Sequence, residues 1–74
     1  MFLDQIAPGE RARIIRVTGT EKLRRRLTAL GFTAGTWVMG EQPAPGGDPI
    51  VCLLRGYTVA MRRVHARQIE VEKE

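Results

Sequence analysis

The chain has 74 residues, a single cysteine and a net charge of +4. That length allows one small domain, the lone Cys52 excludes an internal disulfide, and no apolar run approaches the roughly 20 residues of a membrane-spanning helix. An apolar fraction of 43% suffices for a folded core, and the arginine-dominated charge points to an acidic protein, an anionic lipid surface or nucleic acid, or else to a plain solvated basic surface.

Met1 to Gly9 reads as a lead-in ending in the turn Ala7-Pro8-Gly9-Glu10. It lacks the basic start and apolar run of a signal peptide, so a cytoplasmic chain is expected, not itself membrane-embedded. Arg11 to Val17 is β-branched and half polar and predicts a first strand. Thr20 suits a helix N-cap, with Glu21 beside the positive helix end. Leu23, Leu27 and Leu30 then recur at i, i+4 and i+7, the core face of a short helix, with Arg24 and Arg25 on the other side. Gly31 suits the left-handed position after the helix, and Phe32 is expected to fold back onto the core. After the turn at Gly35, Thr36 to Gln42 predicts a second strand. The run Pro43-Ala44-Pro45-Gly46-Gly47-Asp48-Pro49 is a loop. Ile50 to Leu54 predicts a third strand, Arg55-Gly56 a tight reversal, and Tyr57 to Arg62 a fourth strand. Val64 to Gln68 fits one helical turn, and Ile69 to Glu72 a fifth strand. Five short strands with one helix between the first two bury their apolar faces most economically as a small, strongly curved barrel.

The ordered set of segments resembles the FeoA family, the small cytoplasmic partner of the bacterial ferrous-iron transporter FeoB. The segment Leu27-Thr28-Ala29-Leu30-Gly31-Phe32-Thr33-Ala34-Gly35-Thr36-Trp37-Val38 carries the family's Leu-x-x-Leu-Gly-Phe-x-x-Gly-x-x-Val pattern. Gly47-Asp48-Pro49-Ile50, the Arg55-Gly56-Tyr57 turn, and Ala66, Ile69 and Val71 follow in register over nearly the whole chain. The resemblance implies a mainly β fold. It would be an SH3-like barrel of five to six short strands, one domain over residues 1–74, of the type also fused to DtxR-like repressors. It implies a non-enzymatic accessory protein that docks on the cytoplasmic, GTP-binding part of a FeoB-like transporter, at the inner face of the membrane.

On the family's strand phase Val38, Ile50, Cys52 and Leu54 point inward. Trp37, Met39, Val51 and Leu53 then form one outward apolar patch if the second and third strands pair, a candidate surface for the partner or for a second copy of the chain. Phe2-Leu3 folding over that patch is the alternative. Gly40 stands where an apolar core residue is expected and marks a bulge or a close backbone approach. Arg24 and Arg25 are the second candidate contact, against the simpler reading of a solvated helix face.

Chemistry is sparse. One cysteine and one histidine cannot assemble a metal site, His65 is set among Arg62, Arg63 and Arg67, and the chain has no serine. No catalytic residue, metal ligand or cofactor is therefore expected, and any link to iron rests on the resemblance. Nucleic-acid binding by a basic SH3-like barrel is the main rival, disfavoured because exposed aromatics for base stacking are lacking. A peptide-binding module lacks the aromatic groove it needs. A detached relative of the repressor C-terminal domain lacks a helix-turn-helix.

Overall fold

A computed structural model describes all 74 residues. The strands are β1 (Arg11–Val17), β2 (Trp37–Gly40), β3 (Ile50–Leu54), β4 (Tyr57–Met61) and β5 (Ile69–Lys73). The helices are α1 (Glu21–Ala29) and a single turn, α2 (Arg63–Ala66). The strands form one antiparallel sheet in the order β4-β3-β2-β1-β5, so the two ends of the sheet are not joined by a backbone ladder. The predicted strands are all present, although β2 stops at Gly40 instead of Gln42 and β5 runs one residue further.

Alternation along the strands sorts core from surface. Ala12, Ile14, Val38, Ile50, Cys52, Leu54, Val59, Met61, Ile69 and Val71 are buried on one face, with Leu27, Phe32, Ala66 and Leu3 closing over them. The expected phase of β2 and β3 is the observed one. No buried side-chain polar atom lacks a partner.

Helix α1 begins at Thr20, whose hydroxyl accepts the Leu23 N–H at 3.2 Å. It ends in a Schellman motif. Gly31, at φ 110°, donates its N–H to Thr28 O, while the Phe32 N–H reaches Leu27 O. That geometry corrects one expectation. Leu30 is not a core residue: it is the C-cap and is 39% exposed. The chain leaves the helix at Gly31, and Phe32 turns inward to join Leu27 in the core, as expected. Leu23 is partly buried against the core.

The lead-in is more than an approach to β1. Leu3, in a 3₁₀ turn over Leu3–Gln5, is fully buried. The chain then passes so close to β2 that a Cβ on Gly40 would run into the Ala7 carbonyl, which explains the glycine as a close approach and not a bulge. The bulge lies in β1. Ile14 pairs with Val71 and Arg16 with Glu70, so Ile15 is an extra residue.

Candidate functional site

The outer face of the sheet carries the sequence's first candidate surface. Met39 lies directly across from Leu53 in the β2–β3 ladder, and Val51 is the next outward residue along β3. All three are half-buried by one another, while Trp37 stands 40% exposed. The patch is therefore narrower than expected, with one projecting ring and a low apolar strip beside it. Phe2-Leu3 does not cover it: Phe2 pairs with Glu70, at the opposite side of the sheet.

The neighbours of Trp37 were not foreseen. The β1–β2 register sets Arg13 opposite Trp37 and Arg11 opposite Met39. The Arg11 guanidinium carbon lies 4.7 Å from the indole centroid and that of Arg13 lies 5.8 Å away. Each contact of this kind is worth about 0.5–1 kcal/mol at an exposed site. Both arginines, and Arg16 further along β1, also pair with the C-terminal segment: Arg11 meets Glu74 just beyond β5 at 3.0 Å, Arg13 meets Glu72 at 3.9 Å and Arg16 meets Glu70 at 2.9 Å. The outer face thus runs from apolar on β3, through an arginine-flanked indole, to a neutralised row of ion pairs on β1 and β5. Alternation along β1 puts Arg11 and Arg13 on the outer face, but only the β1–β2 register brings them to the indole.

The second candidate, the α1 arginines, borders a groove of about 700 Å³ between α1 and β1. Its apolar floor comes from Ile15, Val17, Ala29 and Phe32, and its rim includes Arg16, Arg24 and Arg25. Arg25 is paired with Glu21 one turn earlier, whereas Arg24 and Arg26 have no carboxylate partner. The structure does not bring Arg24 and Arg25 together with the Trp37 patch; they lie at separate places on the molecule.

The remaining motif residues act in folding. Gly56 follows Arg55 in a two-residue turn with both in the left-handed region, at φ 84° and 50°. The Arg55 guanidinium binds the hydroxyls of Thr33 and Thr36, tying that turn to the segment around Gly35. The Tyr57 hydroxyl donates to the Leu30 carbonyl at the end of α1. Ala66 and Ile69 are fully buried. Cys52 is buried, and its thiol is pushed up to about 11, first by desolvation and then by the nearby Glu41 carboxylate. His65 shares a shallow depression with Lys22 and Arg26. Nowhere do three His, Cys, Asp or Glu side chains converge as a metal site requires. No helix is long and apolar enough to cross a membrane.

The family model for the FeoA domain matches residues 1–73. The chain is 38% identical over 72 residues to a fusion of Fe(2+) transport protein A with the Fe(2+) transporter FeoB from Porphyromonas gingivalis; the match covers 97% of this chain but 8% of that protein. The solution structure of iron(II) transport protein A from Clostridium thermocellum superposes with a TM-score of 0.93 at 38% identity, over 99% of this chain and 45% of the other. The FeoA protein of Chlorobium tepidum gives 0.90 at 36%, over 99% and 70%. The fold is that of the Stenotrophomonas maltophilia protein described as a prokaryotic SH3 domain, solved with zinc, and it recurs within a manganese-dependent transcriptional repressor at 16% identity.

Proposed function

Since the chain belongs to the FeoA family, we propose that it is a non-enzymatic accessory of bacterial ferrous-iron uptake, docking on the cytoplasmic, GTP-binding part of a FeoB-type transporter. The observation that carries the choice of surface is Trp37, an exposed indole with Arg11 and Arg13 of β1 lying over it, beside the apolar Met39–Leu53 strip. Aromatic and arginine side chains are the commonest anchors of protein contacts. The existence of a relative in which the two transport proteins form one chain supports the choice of partner. A non-catalytic role is supported by the burial of the one thiol and the absence of serine. Iron is cargo of the transporter in this reading, and no residue of this chain is assigned to hold it.

The test is binding of the purified cytoplasmic part of the transporter. Trp37→Ala should weaken binding by about tenfold or more, the range of an interface anchor. Arg25→Ala tests the helix as the second contact. Undiminished binding by both variants would overturn the choice of surface.

A further inference from the structure

The two edges of the sheet differ. At β5 the outer edge is occupied: the Val71 N–H donates to Met1 O at 2.8 Å, the Met1 ammonium donates to Val71 O at 3.2 Å, and Phe2 pairs with Glu70. The strand also carries Glu70, Glu72 and Lys73, charges of the kind that keep edges from pairing.

The edge at β4 has neither protection. The Glu41 N–H donates to Val51 O at 2.9 Å, so Val51 and Leu53 turn their backbone groups toward β2, and Ile50, Cys52 and Leu54 turn theirs toward β4. By the alternation of an antiparallel ladder, Tyr57, Val59 and Met61 receive those bonds. The N–H and C=O groups of Thr58 and Ala60 therefore point away from the sheet, and both residues are exposed. Tyr57-Thr58-Val59-Ala60-Met61 contains no charge and no proline. Arg62 follows the strand, exposed, and its guanidinium has neither a hydrogen-bonded nor an ionic partner. On the outer face Ala60 lies across from Val51 and Thr58 across from Leu53, so the edge borders the apolar strip that leads to Trp37.

We infer that the open edge of β4 receives an extended segment of the partner as a sixth strand, apolar along its middle and acidic where it passes Arg62. This rests on the docking reading above and names the form the docked segment takes. Backbone groups of Thr58 and Ala60 supply the attachment, their small uncharged side chains lie beside alternate outward residues of the segment with the Val51–Leu53 strip one strand further in, and Arg62 fixes the charge at one end. A second copy of this chain fits worse. Twofold pairing of Thr58 with Ala60 sets each copy's Arg62 opposite the other's Arg55-Gly56 turn, cation against cation.

Amide exchange of the ¹⁵N-labelled chain, alone and with the purified cytoplasmic part of the FeoB-type transporter, tests this. Alone, Thr58 and Ala60 should exchange quickly and Val59 slowly; in the complex Thr58 and Ala60 should slow by at least about tenfold. Ala60→Pro removes an outward N–H and leaves the β3–β4 ladder whole, so it should weaken binding at least about tenfold with the unfolding midpoint little changed. Binding without protection of Thr58 and Ala60 overturns the sixth strand and leaves the docking reading standing. Failure of the wild-type chain to bind overturns both. Protection without the transporter, with a doubled mass, assigns the edge to a second copy and overturns the inference.

Discussion

Cys52 occupies the middle of β3, flanked by Gly40 on β2 and Val59 on β4, and its surroundings make the thiol a pH-dependent element of stability. The folded chain holds the proton up to about 11, whereas the unfolded chain releases it near the ordinary 9.0. Above 9.0 the unfolded state therefore binds fewer protons, and stability falls as the pH rises from about 9 to about 11. Urea midpoints across that range should decline for the wild type more steeply than for Cys52→Ala, and the native thiol should react slowly with a disulfide reagent. Equal slopes would refute the assignment. Glu10 behaves oppositely. Its carboxyl is held below the ordinary 4.5, chiefly by the Lys73 ammonium and then by the Ala7 N–H, so its contribution is present at neutral pH and fades in acid. Burial of Cys52 was legible in the β3 alternation. The close approach that requires Gly40 was legible only as an anomaly, because the Ala7 carbonyl that causes it is 33 positions away in the chain.

Helix α1 has a mean composition poor in apolar residues, with Leu27 its one buried side chain. Its ends therefore carry much of the local ordering. Thr20→Ala should lower the unfolding free energy by about 1 kcal/mol, the usual cost of a lost N-cap, measured by urea titration. Thr20→Asn should recover most of it, which distinguishes a cap from a packing defect. The start of this helix and its glycine stop were readable from residue types alone, because caps are local. The fate of Leu30 was not. Helical periodicity continues its stripe to that position, but the helix ends there in a Schellman turn that leaves Leu30 exposed. The site divides the same way. Trp37 was placed on the outer face by alternation, yet its arginine neighbours depend on a strand 24 to 26 positions earlier, whose register no local pattern fixes.

At the scale of the molecule, the first turn after Met1 is a structural component of the barrel. Leu3 is fully buried beneath β5 and α2, and Asp4 adds an ion pair to Arg67 and a backbone acceptor for Arg63. Leu3→Ala should cost about 2–5 kcal/mol by leaving a cavity. Against the roughly 4–11 kcal/mol expected of a domain this size, that is a large share, visible as a drop in the thermal midpoint. Sequence patterning missed this residue because a lone leucine before a Pro-Gly turn has no period to report.

The six ion pairs have a consequence for the molecule as an electrical object. They engage six of the twelve cations and six of the eight carboxylates, mostly along the β1–β5 margin. The cations without a carboxylate partner are Lys22, Arg24 and Arg26 on α1, Arg55 and Arg62 flanking β4, and Arg63 on α2, against Glu41 and Asp48 alone. The surplus of +4 thus lies off the β1–β5 margin, where the charges are nearly all paired. In the field of an anionic surface the molecule is attracted through these unpaired cations more than through the β1–β5 margin. Its encounter rate, unlike its fold, then depends on ionic strength over the ~8–10 Å reach of screened charge.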